Sequence, residues 1–154
     1  MEKKEKMIIP IASDHAGFEA KEIVKRILDE MDITTIDYGT DSGESVDYPD
    51  FANMVSQTVN NREHPVGILL CGSGQGMCMT ANKYPRIRAS LVWNDEMARL
   101  SRQHNNSNIL CLPGKYLNEE ELRSIVSIWL NTEFEGGRHK TRVEKIKPVN
   151  PNSD

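Results

Sequence analysis

Residues 67–83 read GILLCGSGQGMCMTANK and carry the strongest indication of how the chain folds. The apolar run GILLC leads directly into a loop in which Gly72, Gly74 and Gly76 alternate with other residues, and a segment suited to a helix follows. A short apolar strand that turns through glycines into a helix is the repeating unit of parallel sheets with helical crossovers. The stretch therefore predicts an α/β protein.

Four further apolar runs are followed in the same way by stretches of helical period: MIIPIA (7–12), ITTI (33–36), ASLV (89–92) and ILCL (109–112). Together with GILLC they predict a single α/β/α sandwich with a mainly five-stranded parallel sheet. Pro10 interrupts the first run, and proline cannot donate to a hydrogen-bond ladder in the middle of a sheet. We therefore expect the first strand either to begin at Ile11 or to contain a bulge.

Apolar residues at helical spacing predict the helices that cover this sheet. One apolar stripe extends over residues 20–31. The clearest helix follows Asn118, because Asn118 and Glu121 have the spacing of a capping box and a second stripe extends over residues 122–130. The segment DYP at 47–49 suits a third helix start, since proline is favoured in a first helical turn.

The composition limits the classes of protein to which the chain can belong. Its 154 residues fit one domain, which we expect over residues 7–147, with residues 1–6 and 148–154 as flexible ends. The net charge of -4 argues against nucleic acid and anionic membranes as partners. No apolar stretch approaches the roughly 20 residues of a membrane helix, and no targeting segment is recognisable, so we expect a cytoplasmic protein.

The three cysteines are expected to be free thiols. Cys71, Cys78 and Cys111 are an odd number, lie in apolar surroundings and form no CxxC pair. This pattern disfavours both a disulfide framework and a zinc site. For Cys78 and Cys111 we expect only the role of small buried apolar residues.

The glycine loop after Cys71 predicts an anion site. Its glycines allow several backbone N–H groups to point in one direction at the start of a helix, although the spacing is neither that of a dinucleotide fingerprint nor that of a P-loop. These N–H groups are expected to stabilise a thiolate at Cys71 and to lower its pKa, and Ser73 is placed to hydrogen-bond the sulfur. Position alone is equally compatible with Cys71 as a buried filler.

Other polar residues flank the predicted strands and helices. Asp14 and His15 lie in the turn before the first helix, where an aspartate most often caps the helix. His104, with the asparagine after it, lies at a helix exit, where a histidine often only complements the helix dipole. Arg138 and Arg142 share one face of a predicted C-terminal helical extension, which makes either a phosphate clamp or a solvated basic face.

Six segments, taken together and in order, resemble the type B ribose-5-phosphate isomerases, in the family that also holds the galactose-6-phosphate isomerase subunits. The segments are SDHAGFEAK, DYGT, DYPDFA, GILLCGSGQGMCMTANK, RLSRQHNNSNILCLPG and EGGRHKTRV, and the match extends over residues 8–143. The resemblance implies a Rossmann-like sandwich that works as a homodimer, sometimes a tetramer, with each active site completed by the neighbouring subunit. It implies a small sugar phosphate as substrate and no metal or organic cofactor.

The resemblance also implies roles for individual residues. It makes Cys71 the base that moves a proton between C1 and C2, with Ser73 beside it, and makes His104, helped by Asp14, the group that opens the sugar ring. The remaining implied contacts bind the enediolate oxygen, the sugar hydroxyls or the phosphate. They are Gly72, Gly74, Gln75 and Gly76 for the oxygen, Tyr48 and Asn105 for the hydroxyls, and His15, Lys115, Arg138 and Arg142 for the phosphate.

One departure from the family pattern keeps the substrate open. Lys115 stands where the family usually has an arginine, and lysine keeps the charge but loses the bidentate fork. Weaker phosphate binding or a different sugar is compatible with this change, so an isomerase of allose 6-phosphate or galactose 6-phosphate is an alternative to one of ribose 5-phosphate. A phosphate- or nucleotide-binding module without chemistry is a second alternative, but it assigns no task to Cys71 and His104.

Overall fold

The computed structural model describes residues 5–149, and in this range the chain forms five strands and six helices. In chain order they are β1 (Ile8–Ser13), α1 (Phe18–Glu30), β2 (Thr34–Asp37), α2 (Tyr48–Asn60), β3 (Gly67–Cys71), α3 (Gln75–Ala81), β4 (Ala89–Leu91), α4 (Asp95–Gln103), β5 (Ile109–Pro113), α5 (Glu119–Asn131) and α6 (Arg138–Glu144). Each of the five apolar runs matches a strand to within one residue at either end, and all strand pairs are parallel. The predicted α/β class and the C-terminal helical extension are confirmed.

The sheet has the strand order β2-β1-β3-β5-β4 and is covered on both faces. On β3, Ile68 and Leu70 join the apolar cluster formed with α1 and α5, whereas Leu69 and Cys71 join the cluster formed with α2 and α3. Alternate residues of a strand point to opposite faces, and here both faces are buried. The central strands are consequently apolar at nearly every position.

The connections out of β1 and β3 leave in opposite directions. From β1 the chain passes through α1 to β2 on one side, whereas from β3 it passes through α3 to β4 on the other side. Where two neighbouring parallel strands diverge in this way, a crevice opens outside their carboxyl ends. Asp14 follows β1 and Cys71 ends β3, so both residues lie at this crevice.

Both expectations for Pro10 are wrong, because β1 begins at Ile8 and pairs with β2 in unbroken register through Pro10. Thr34 N–H donates to the Met7 carbonyl oxygen and Tyr38 N–H to that of Ile11. The backbone N–H and C=O groups of the odd-numbered residues of β1 therefore point toward β2. Pro10 therefore faces the β3 side, where pairing starts only at Ile11. Its missing N–H removes no bond from the β1–β2 ladder.

The predicted helix starts are confirmed, with one unexpected burial. At α5 the Asn118 side chain accepts from Glu121 N–H (2.8 Å) and the Glu121 carboxylate accepts from Asn118 N–H (3.1 Å), which completes the capping box. The stripe of α1 buries its apolar residues but also Lys21, whose side chain is 0% exposed. The Lys21 ammonium donates to Asp37 (2.7 Å) and to the Thr40 carbonyl oxygen (2.6 Å), so an ion pair ties the segment after β2 to α1.

The two ends of the chain are described only in part. The expected flexible ends include residues 1–4 and 150–154, which lie outside the described residues. Lys6 forms an exposed ion pair with Asp32 at 3.0 Å. Within residues 5–149, none of the helices combines the length and the apolar character needed to cross a membrane.

Gly17 provides a test of how closely α1 must approach the end of β3. A methyl group at Gly17 would lie 2.6 Å from the Leu70 carbonyl oxygen, which is backbone and cannot move aside, so we expect Gly17→Ala to lower the free energy of unfolding by about 1–3 kcal/mol. Gly43→Ala is the matched control, since the added methyl group meets nothing within 4 Å. Urea unfolding measures both, and equal stabilities would contradict the close packing.

Candidate active site

Cys71 lies at the centre of the crevice at the carboxyl edge of the sheet, where only 4% of its surface is exposed. Two hydrogen bonds hold the turn after β5 against it: Gly114 N–H donates to the Cys71 carbonyl oxygen (2.8 Å) and Lys115 N–H to that of Gly72 (3.2 Å). Asp14 N–H donates to the Leu70 carbonyl oxygen (3.2 Å) on the other side. The cysteine is thus fixed by backbone contacts from two neighbouring segments.

The glycine loop directs backbone N–H groups at the Cys71 sulfur. The donors are Gly74, Gly76 and Met77. Gly74 has φ +77°, and a methyl group there would lie 3.1 Å from backbone atoms of Leu112 and Pro113, so both conformation and space favour glycine. The loop therefore forms a set of fixed donors around one atom.

The pKa of Cys71 is nevertheless raised, so the prediction of a lowered pKa is wrong for this chain. Burial has the largest effect and raises the pKa, the three N–H groups lower it, and the Asp14 carboxylate raises it again. The predicted bond from Ser73 is not formed either: its hydroxyl is exposed and accepts from Gln75 N–H at 3.4 Å. A serine at the apex of a tight loop bonds the backbone two residues on, and this turn competes with the sulfur.

The other two cysteines are free thiols, as predicted, and so is Cys71. Cys111 is fully buried, and burial raises its pKa. Cys78 is half-buried and donates to the Ala89 carbonyl oxygen at 3.4 Å. Cys78 also accepts from Asn82 Nδ2 at 3.7 Å, but neither thiol lies at the glycine loop's ring of N–H groups as Cys71 does.

Three further predicted residues lie at the carboxyl edge. The Tyr48 ring lies over the loop so closely that a methyl group on Gly76 would come within 2.7 Å of it. His15 Nδ1 accepts from Val46 N–H (3.2 Å), which leaves Nε2 to carry the proton of the neutral ring. His15 and Lys115 line a cleft of about 700 Å³. The edge thus combines a thiol, a carboxylate, a phenol and two basic side chains.

The segment after β2 supports this edge, and the sequence analysis did not assign it a function. Asp37 accepts from Gly39 N–H (2.8 Å), and Ser13 exchanges backbone hydrogen bonds with Gly39 (2.8 Å) and Thr40 (2.7 Å) just before Asp14. Partial burial works to raise the pKa of Asp37, but the bonds from Lys21 and from Gly39 N–H lower it on balance. Lys21, a lysine within the apolar stripe of α1, is the feature of the sequence from which this contact with Asp37 could have been predicted.

The structure places His104 and Asn105 at the other edge of the sheet. They follow α4, and the same loop continues to Asn108, whose carbonyl oxygen accepts from Gly67 N–H (3.0 Å) at the first residue of β3. Cys71 is four residues further along β3, about 13 Å away at roughly 3.3 Å per residue. A single chain therefore does not bring His104 to Cys71.

The predicted arginine pair also lies apart from the crevice. Arg138 and Arg142 are exposed, four residues apart and on one face of α6. The adjoining residue His139 is buried and stacks on His104, with ring centroids 4.1 Å apart and planes inclined by 12°. Since this stack fixes α6 to the end of α4, the arginines belong to the same edge as His104.

His104, His139 and Glu135 are the group of described residues that comes nearest to a metal site. Each of the three offers a ligand atom within 4.8 Å of the others, and His139 Nε2 lies 3.6 Å from a Glu135 oxygen. A metal bound by both imidazoles must lie close to both ring planes, whereas these planes are nearly parallel and stacked. The two lone pairs run side by side, so the arrangement does not fit a tetrahedral site.

The chain is similar to known proteins over nearly its whole length. Residues 9–146 match the Ribose/Galactose Isomerase family. Ribose-5-phosphate isomerase B of Escherichia coli is 40% identical over 141 residues, which are 92% of this chain and 95% of that protein. The crystal structure of a ribose 5-phosphate isomerase from Thermotoga maritima has a TM-score of 0.91 and 51% identity, and covers 94% of this chain and 100% of that one.

A third similar protein was solved with a sugar phosphate. Ribose-5-phosphate isomerase B of Mycoplasma genitalium, with bound ribulose-5-phosphate, has a TM-score of 0.87 and 40% identity, and covers 93% of this chain and 95% of that one. Both the extent of the family match and the identity to these relatives are far above what a shared fold alone requires. The chain belongs to the ribose/galactose isomerase family.

Proposed function

We propose that the chain interconverts ribose 5-phosphate and ribulose 5-phosphate at the Cys71 crevice. The observation that carries the proposal is a buried thiol surrounded by three fixed N–H donors, with Asp14 at the neighbouring strand end. An aldose–ketose isomerase needs a base for a carbon-bound proton and donors for the enediolate oxygen that then forms. The similar protein that binds ribulose-5-phosphate supports the choice of sugar.

In the proposed reaction Cys71 acts as the base. Its thiolate removes the proton from C2 of the open-chain aldose, and the N–H groups of Gly74, Gly76 and Met77 stabilise the developing oxyanion. The hydroxyl proton then passes from O2 to O1, and the thiol returns the first proton to C1, which leaves the carbonyl group at C2. A raised pKa makes the thiolate a stronger base toward a carbon acid, although a smaller fraction is ionised near neutral pH. The burial that raises the pKa therefore also suits the chemistry.

We further propose that two copies of the chain complete each site. His104, working with Asp14, is to open the sugar ring, yet the two residues lie at opposite edges of the same sheet. A homodimer in which the amino edge of one subunit meets the carboxyl edge of the other removes this separation. It also brings Asn105 to the sugar hydroxyls.

The phosphate in this arrangement is held from both subunits. His15 and Lys115 line the cleft beside the crevice, and the exposed pair Arg138 and Arg142 approaches from the other subunit. Guanidinium groups bind phosphate in a bidentate manner, which compensates for a lysine at position 115. Tetramer formation and a cytoplasmic location remain predictions from the sequence.

Replacement of Cys71 tests the chemistry. We expect Cys71→Ala to lower kcat for ribose 5-phosphate by at least about 10²-fold, because a positioned base contributes that much, while the fold is retained. Cys78→Ala is the control, since its half-buried thiol donates to the Ala89 carbonyl oxygen and has no proposed role in the reaction. A coupled assay for ribulose 5-phosphate measures both variants, and circular dichroism checks the fold.

The same assay decides between the candidate functions. Allose 6-phosphate and galactose 6-phosphate are measured beside ribose 5-phosphate, and a higher kcat/KM for either hexose phosphate would change the assigned substrate. Near-normal turnover by Cys71→Ala would rule out the thiol as base. Absence of turnover with every sugar phosphate, together with retained binding, would favour the binding module.

Mixing two inactive variants tests whether the sites are shared. In a hybrid of Cys71→Ala with His104→Ala, one of the two sites receives an intact Cys71 from one chain and an intact His104 from the other. Random reassortment makes half of the dimers hybrids, so we expect about a quarter of the wild-type activity to return after joint refolding. If each site lies within one chain, mixing restores no activity.

The raised pKa predicts how Cys71 reacts. Because the protonated thiol persists above the ordinary range, iodoacetamide should modify Cys71 more slowly at pH 7 than in the unfolded chain, and the rate should still rise above pH 9. Ribose 5-phosphate should slow the reaction further. Peptide mass spectrometry measures the rate, and a pH-independent rate near neutrality would contradict the raised pKa.

A further inference from the structure

The segment that leads into α6 is fastened to the last turn of α4. Arg102 donates from Nε to the Thr132 carbonyl oxygen (3.1 Å), and Glu135 N–H donates to the Gln103 carbonyl oxygen (3.1 Å). Gly136 and Gly137 then turn the chain with φ +68° and +55°, values that glycine adopts without strain. The turn brings the next helix back toward the residue that caps α4.

His139 is the side chain that this turn delivers to His104. His139 is 7% exposed, and its ring stacks on that of the half-buried His104, with the centroids 4.1 Å apart and the planes 12° from parallel. Stacking covers one face of His104 and leaves the nitrogen edge of the ring free to meet a ligand. It restricts rotation of a side chain that otherwise projects from a helix end.

The charges around His139 favour its neutral form. Burial has the largest effect and lowers its pKa, His104, Arg138 and Arg142 lower it further, and Glu135 opposes them. Two stacked imidazolium ions would repel each other at 4.1 Å. The His139 ring that stacks on His104 is therefore the neutral imidazole.

We propose that His139 is a positioning residue for His104 in the ring-opening step. The inference rests on the proposed function, which makes His104 the proton-transfer group, and adds a residue that never touches the sugar. The neutral His139 ring holds His104 in one orientation as it gives and takes its proton. General acid–base catalysis depends on such alignment, and a small misplacement of the acid slows the step without weakening substrate binding.

A set of three variants tests this role in the full-length protein. His139→Ala removes the stack, His139→Phe keeps a flat ring without a titrating group, and His64→Ala is the control at a histidine in the connection between α2 and β3. We expect His139→Ala to lower kcat for ribose 5-phosphate by about tenfold or more while KM stays within about twofold. His139→Phe should recover kcat to within about threefold of the wild-type value. His64→Ala should have the wild-type kcat and KM.

The split between kcat and KM separates positioning from a merely structural role. α6 also carries Arg138 and Arg142, the proposed phosphate ligands, so a variant that displaces the helix should raise KM. The proposal is overturned if His139→Ala has normal kcat, if only KM rises, or if His139→Phe is as impaired as His139→Ala. A wild-type protein without turnover overturns the proposed function and this role together, whereas a normal His139→Ala beside an active wild type overturns this role alone.

Discussion

The divergence of α1 and α3 from the neighbouring strands β1 and β3 is the constraint on which the rest of the structure depends. It opens a gap between adjacent strand ends into which residues that follow β1 and end β3 project, near the centre of a five-stranded sheet. The close contact of Gly17 with Leu70 shows how tightly α1 is drawn against this gap. Asp14 and Cys71 become neighbours because of the topology, although 57 residues separate them in the chain.

Two opposing effects act on the thiol at this gap. Packing against α2 and α3 removes water from Cys71 and favours the protonated form, whereas the N–H groups of the glycine loop favour the thiolate. Burial has the larger effect here. The donors are then most useful for a charge that appears during the reaction, since they are already oriented and need no reorganisation when it forms.

Much of the fold could be predicted because each strand carries its own signal. The five apolar runs end at small or polar residues, and the Asn118–Glu121 pair marks a helix start by local spacing alone. Pro10 was misjudged because local sequence does not tell which neighbouring strand an N–H faces. The pKa of Cys71 was misjudged because its burial arises from the packing of α2 and α3 against the sheet, which the local sequence does not reveal.

The candidate site was predictable residue by residue but not as an assembly. Chain order contains a usable rule: residues between a strand and the next helix lie at the carboxyl edge, and residues between a helix and the next strand at the amino edge. By this rule Cys71, at the end of β3, lies at the carboxyl edge, and His104, between α4 and β5, lies at the amino edge. His139 was missed because its partner lies 35 residues away, which no local pattern reveals.

The ion pair between the buried Lys21 and the partly exposed Asp37 couples these two positions of the chain. Lys21 has no access to water, and its ammonium group donates hydrogen bonds to Asp37 and to the Thr40 carbonyl oxygen. Loss of the Asp37 carboxylate alone would leave a buried charge without its partner and would lower the free energy of unfolding by about 3–5 kcal/mol. An apolar residue at 21 would in turn leave Asp37 only Lys25 as a cationic partner. Among descendants of this chain the two positions should therefore change together, and the segment before the crevice should keep its shape only in lineages that retain both or replace both.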